Sequence, residues 1–234
     1  MHYTKLLSLQ RQHKMIQDKM IGMFPVNLFV DTLSDQEIDR SSVYQAAIDN
    51  FNNSLAIPER RSKWEDTNTQ FLSYNRNVLD TIPSLSSLKQ SIQNRIDTYT
   101  KEVLGSNDEY SLYITTSWFT YLQEGKSHPR HTHTNSILSG VFYLAANEDD
   151  CVEFFHNDPN NGLNMKLTKV KNEFNYESCC IPVQSGALML FPSTVGHGVP
   201  YTTRKGKDMR ISLAFNTFIK GTIGDNQFAN LLNI

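Results

Sequence analysis

Apolar and polar positions change their rhythm near Gly105. Ahead of it, apolar residues recur at threes and fours. Beyond it they come in short runs rich in Val, Ile, Thr, Phe and Tyr, separated by Gly, Asn, Asp and Pro. The first rhythm predicts helices and the second strands. The clearest helix opens at Pro83-Ser84, carries Leu85, Leu88, Ile92, Ile96, Tyr99 and Val103 on one stripe, and closes at Gly105. Such a stripe predicts a helix that supports a sheet. Ser34-Asp35-Gln36-Glu37 has the form of a capping box and predicts another helix, through about Phe51. The run Phe24 to Val30 reads as a short strand, and the segment containing Pro58-Glu59-Arg60-Arg61 as a polar loop. Residues 1–20 are polar and rich in Gln and Lys, too sparse in apolar positions for a core helix, and read as an extension.

Strands are expected at Leu112 to Leu122, Ser139 to Ala145, Cys151 to Phe155, Lys166 to Val170, Ala187 to Phe191 and Arg210 to Phe218. Helices first and many strands afterwards predict an α+β chain, mainly β. Residues 21–105 would form a helical buttress on a barrel or sandwich built from residues 106–234, the two making one structural unit. The sequence contains no internal repeat and no low-complexity linker.

With 234 residues the chain can bury a substantial core. Lys and Arg total 22 against 24 for Asp and Glu, and neither half is strongly charged, which disfavours nucleic-acid binding through a broad basic patch. Cys151, Cys179 and Cys180 are odd in number and lack C-x-x-C spacing, so neither a disulfide framework nor a cysteine zinc site is expected. No apolar run reaches the length of a membrane span, and the first residues lack the order of a signal peptide. A reducing cytoplasm is the expected compartment.

The candidate chemistry lies in the histidines, five of the seven falling between positions 128 and 197. In His131-Thr132-His133 two imidazoles stand two residues apart, so on an extended strand both project to the same side and can reach one ion. His197 follows the apolar strand and Pro192, and would complete the set from another strand. Arg210-Ile211-Ser212 then opens a further alternating strand. An H-x-H pair alone is a weak signal; the combination with Gly186, Pro192, His197 and Arg210-x-Ser212 is much stronger.

The segments Trp118 to Gly125, His131 to Leu144, Gly186 to His197 and Arg210 to Thr217 resemble the 2-oxoglutarate/iron(II) oxygenase family found in phages and bacteria. The likeness covers roughly residues 110–224. It implies a double-stranded β-helix (a jelly roll, cupin-like) with Fe(II) in the barrel mouth, 2-oxoglutarate as cosubstrate, and dioxygen and a further substrate as reactants. It places His131 and His197 on the metal, and Arg210, with Ser212 as hydroxyl partner, on the distal carboxylate of 2-oxoglutarate. An arginine suits that task because its planar fork grips a carboxylate through two hydrogen bonds. Tyr143 matches a tyrosine that often helps hold the same carboxylate.

One position departs from the family. Its usual motif is H-x-D or H-x-E, and here His133 stands where the carboxylate belongs. Either His133 is the third ligand, or a carboxylate from elsewhere, such as Glu153 or Asp208, completes the site. His156-Asn157-Asp158 satisfies H-x-D formally, yet leaves too little chain before His197 for the intervening strands. Trp118 and Asn135 are candidates for the substrate pocket. Phe142 is another, though aromatics on barrel strands are more often core, and Asn135 also suits a turn. His128 reads as a solvated loop histidine, with proton handling near the metal as the alternative, and Arg210 has a structural ion pair as its competing reading.

The activity implied is hydroxylation of an unactivated C–H bond, the first expectation for the substrate being a peptidyl side chain and then a small molecule. The competing readings are a cupin-like metal protein without oxygenase activity and a jelly-roll binding module whose metal site has decayed.

Overall fold

The computed structural model describes residues 26–66, 69–106, 108–156, 176–201, 208–228 and 230–234. The extension expected at residues 1–20, the strand expected at Lys166 to Val170, and Asp158 lie outside the described residues.

Among the described residues the strands form two antiparallel sheets. The larger runs β1 (Phe29–Thr32), β8 (Ala187–Pro192), β5 (Leu138–Ala145), β10 (Arg210–Ile223), β3 (Tyr110–Leu122), β2 (Phe71–Leu72), with β11 (Leu232–Asn233) added to β10. The smaller runs β4 (His128–His131), β9 (Gly196–Val199), β6 (Cys151–Phe155), β7 (Ser178–Pro182). From β3 to β10 the chain passes back and forth between the sheets, staying in the smaller one only for the β6–β7 pair, as in a double-stranded β-helix.

Register decides which side chains face the interior, because alternate residues of a strand point to opposite faces. Ser212 pairs with Thr120 on one side and Tyr143 on the other, and Ala214 pairs with Trp118 and Val141. These residues share the face turned toward the smaller sheet. Ile211, Leu213, Phe215, Phe119, Phe142 and Leu190 share the opposite face and join the main hydrophobic core with the helices. Inside the barrel a smaller cluster packs Tyr143, Val152, Val183, Ala187 and Met189.

Helix α1 (Arg40–Leu55) buries Val43, Ala46 and Ala47, and its Ala47 carbonyl accepts a hydrogen bond from the buried Tyr121 hydroxyl at 2.8 Å. Helix α2 spans Pro58–Asp66, α3 Val78–Thr81 and α4 Ser86–Glu102, the last preceded by a 3₁₀ turn at Pro83–Leu85. On α4 the predicted stripe is buried at Leu88, Ile92, Ile96 and Tyr99. Val103 departs from it, lying past the helix end and 38 % exposed.

Three other local expectations are corrected. The Ser34–Glu37 box forms, with Glu37 accepting from the Ser34 backbone N–H at 3.0 Å, but it closes a turn. The helix itself starts at Arg40, capped by Asp39, which accepts from the Ser42 N–H at 3.1 Å. The segment from Pro58 is helical; proline is tolerated at a first helical position, and Trp64 is the helix's one apolar anchor, 5.0 Å from Phe51 and 5.4 Å from Phe71 between ring centroids, beside Arg60 over the Phe71 ring. One apolar anchor gives no periodicity to detect. The early strand begins at Phe29, later than Phe24, and continues to Thr32.

The two sheets meet along one seam close to the histidines. Gln70, just before β2, hydrogen-bonds His128 of β4 through Nε2 atoms 2.8 Å apart, and Thr69 bridges Ser127. At Gly198 an added Cβ would lie 2.7 Å from the His128 carbonyl, so glycine lets β4 approach β9 closely.

Candidate metal centre and cosubstrate pocket

His131 closes β4 and registers directly opposite His197 of β9, their ring centroids 4.3 Å apart. The β4 strand ends at His131, so His133 does not reach the site as the next inward residue of an extended strand. It is brought there by a turn: its N–H donates to the Ser193 carbonyl at 3.0 Å. The result is convergent. One donor nitrogen from each of His131, His133 and His197 lies within 4.8 Å of the other two, and His133 Nε2 stands 3.3 Å from His197 Nε2.

The donor set fits a divalent transition ion. Two nitrogen ligands about 2.1 Å from one ion and near a right angle stand about 3 Å apart, close to the observed 3.3 Å. His131 Nδ1 is 3.0 Å from the Pro129 carbonyl and His197 Nδ1 3.0 Å from the Val195 carbonyl. A carbonyl only accepts, so each Nδ1 carries the proton and each Nε2 keeps its lone pair. Burial pushes the His133 and His197 imidazoles down to about 4, with their histidine neighbours adding to it, so both are neutral and ready to ligate at pH 7.

No carboxylate of the described residues belongs to this group. Glu153 pairs with Gly198 while its neighbour Phe154 pairs with His197, which turns Glu153 to the opposite face; there it accepts from Ser178 Oγ at 2.5 Å. Asp208 is exposed ahead of β10, its carbonyl bonded by Asn147. His156 is exposed at the end of β6, its N–H bonded to the Glu177 carbonyl.

The histidines open on a cavity of about 60 Å³ whose walls include Trp118, Thr120, Tyr143, Phe191, Arg210 and Ser212. Arg210, 4 % exposed, donates from Nη1 to the Cys151 carbonyl at 2.9 Å and lies over the Tyr143 ring, 5.0 Å from its centroid. Asp150 Oδ1 is 3.9 Å from the same Nη1, so the ion-pair reading of Arg210 has a partner, held at the outer limit of such contacts. Tyr143 is fully buried and its hydroxyl is pushed above its ordinary pKa by that burial. Ser212, two residues beyond Arg210, shares the same face and registers beside Tyr143.

Two residues take the second of the places the sequence offered them. His128 is a wall of the pocket rather than a solvated loop residue: its ring centroid lies 4.0 Å from that of His131, and burial pushes it down to about 3. Its spacing of three from His131 hid this, because the register slips between the two. Asn135 sits exposed in a turn at φ 54°, outside the cavity wall, where asparagine's tolerance of left-handed backbone accounts for it. Trp118 does line the pocket, 5.9 Å from the His133 ring, whereas Phe142 belongs to the helix-facing core.

The strands define a double-stranded β-helix with the histidines and Arg210 facing one pocket. Residues 116–216 match the family model described as "Putative 2OG-Fe(II) oxygenase", whose description names Fe(II) and 2-oxoglutarate. Solved structures of the same fold include the non-heme alpha-ketoglutarate-dependent carbocyclase SnoK from nogalamycin biosynthesis, at TM-score 0.53 and 12% identity, covering 89% of this chain and 87% of that one. The epimerase SnoN from the same biosynthesis matches at 0.53 and 12%, covering 84% and 81%. HygX from Streptomyces hygroscopicus, solved with nickel and 2-oxoglutarate bound, matches at 0.52 and 11%, covering 82% of each chain. No curated protein matches in sequence.

Proposed function

We propose that the chain is a 2-oxoglutarate-dependent hydroxylase in which His131, His133 and His197 hold Fe(II), and Arg210, Ser212 and Tyr143 hold the distal carboxylate of 2-oxoglutarate. The observation that carries this reading is that three convergent imidazole nitrogens and a buried guanidinium open on one cavity. When bound, Fe(II) and 2-oxoglutarate supply oxidative decarboxylation of the keto acid to succinate and carbon dioxide, coupled to insertion of one oxygen atom of dioxygen into a substrate C–H bond.

The protein's own residues would orient and exclude water. Arg210 is anchored through Cys151 and Tyr143, which leaves its planar fork in a fixed direction for a carboxylate. Ser212 offers a hydroxyl on the same face. Tyr143 and Phe191 shut the inner end against solvent, and the hydrogen-bonded Nδ1 atoms of His131 and His197 hold their rings in one tautomer. Trp118 forms a flat wall beside His133 for the substrate. A peptidyl side chain is the substrate class we favour, followed by a small molecule.

We also propose that residues 21–105 and 106–234 form one unit, supported by the pairing of β1 with β8 and β2 with β3. A bacterial or phage-infected cytoplasm is supported by three free thiols; none of the described helices is long and apolar enough to cross a membrane.

The test is succinate production from 2-oxoglutarate in air. Production that needs added Fe(II) and disappears in His197→Ala supports the proposal. Metal binding without any Fe(II)-dependent succinate would favour the cupin-like alternative, to which an all-histidine site also belongs.

A further inference from the structure

We infer that Asn216 reads a hydrogen-bond acceptor on the substrate, of the class of a peptide carbonyl oxygen; this rests on the oxygenase reading above. The inward-facing residues of β10 are Arg210, Ser212, Ala214 and Asn216 in alternation. The first three line the cavity, and Asn216 is the next step along the same face. It stands at the histidine end, because Ala214 registers with Trp118 and Trp118 lies against His133. The β3–β10 register slips immediately after Asn216, with Thr115 the extra residue on β3, so the ladder is interrupted beside Asn216.

A chain of hydroxyls fixes the Asn216 amide. Ser139 Oγ donates to Asn216 Oδ1 at 2.8 Å, Ser139 and Ser193 hydroxyls are 2.8 Å apart, and those of Ser193 and Ser136 are 2.7 Å apart. Each hydroxyl has one proton. Since Ser139 gives its proton to Asn216, Ser193 donates to Ser139, and Ser136 donates to Ser193 at 2.7 Å in preference to the Leu138 carbonyl 3.3 Å away. The chain ends on Oδ1, so Nδ2 keeps both N–H groups as donors, and none of the described residues accepts from it. Ser139 and Ser193 are buried while Asn216 is only half-buried. Packing alone does not call for buried hydroxyls that orient a rim amide with its donors unspent. The Ser193 carbonyl also accepts from the His133 N–H, so the same residue fixes both the donor and a proposed metal ligand.

The probes are N-acetyl amino-acid N-methylamides, the corresponding free amino acids, and alkylamines with the same side chains but no carbonyl. Succinate release is followed at saturating Fe(II) and 2-oxoglutarate. Blocked amino acids should stimulate release and the amines should not. Asn216→Ala and Asn216→Asp should each raise the KM for the blocked probe about tenfold, with less effect on kcat. The aspartate variant is isosteric and keeps the acceptor for Ser139, so it separates loss of donors from loss of packing. Stimulation by free amino acids in place of blocked ones supports the carbonyl class and assigns it to a small substrate rather than a peptide. Unchanged KM in both variants, equal stimulation by amines, or no stimulation by any carbonyl probe would overturn the assignment, provided the anaerobic ferrous 2-oxoglutarate absorption still forms. If that absorption fails in the wild type, the oxygenase reading itself falls.

Discussion

His133 Nε2 lies 3.3 Å from His197 Nε2 although the residues are 64 positions apart in sequence, and the link between them is the Ser193 carbonyl on the turn that carries His133 inward. Position 133 is where the family motif carries a carboxylate. The proposed centre would then have a ligand set of three neutral imidazoles, one negative charge short of the facial triad. Replacing His133 by Asp should therefore retain Fe(II) binding and strengthen discrimination for Fe(II) over Cu(II), while His131→Ala and His197→Ala should each weaken binding more than about 100-fold, beyond the loss typical of an outer-shell partner. Anaerobic metal titration of the four proteins measures all of this.

Acid should destabilise the metal-free protein through its buried histidines. His128, His133 and His197 have folded values pushed down to about 3, 4 and 4 from an ordinary 6.5. Between those limits the unfolded chain binds more protons than the folded one, so stability is full above pH 6.5 and falls as pH drops toward 4. Urea unfolding across pH 7.5 to 4 should show this loss, and His128→Gln should reduce its slope.

A second acid transition belongs to the Ser34–Glu37 turn. Hydrogen bonds from Ser34 and Arg95 hold the Glu37 carboxyl near 2, below its ordinary 4.5. Its contribution is present above pH 4.5 and is lost as pH falls toward 2. Glu37→Gln should be less stable than wild type at pH 7, and the difference should close by pH 2 in thermal unfolding.

Gly140 should not tolerate a side chain. A Cβ there would run into the Phe215 ring and Leu190 in the helix-facing core. Gly140→Ala should lose about 1–3 kcal/mol of stability, the cost of overpacking a close-packed layer, as measured by denaturant unfolding.

How much of this was legible in the sequence varies by element. The strands carrying Trp118, Tyr143, Arg210 and Ser212 could be read because alternation on a half-buried strand is a direct consequence of geometry. The α4 stripe was legible for the same reason at the helical period. Helix α2 was not, since a single Trp64 makes no period. Nor was His128 as a pocket residue. Its place depends on the register slip between His128 and His131, and a slip is set by pairing between distant strands that local pattern does not encode. The Gln70–His128 seam is equally nonlocal, 58 positions apart.

Whether the three histidines and Arg210 serve one ferrous 2-oxoglutarate site is decided by anaerobic absorption spectroscopy. Fe(II) and 2-oxoglutarate added to the wild type should produce the weak visible charge-transfer band of keto-acid chelation. Arg210→Ala should require at least about tenfold more 2-oxoglutarate to reach the same band, because a charge-assisted bidentate contact is removed. A wild-type protein that takes up Fe(II) but forms no such band, or an Arg210→Ala variant that titrates like wild type, would contradict the account.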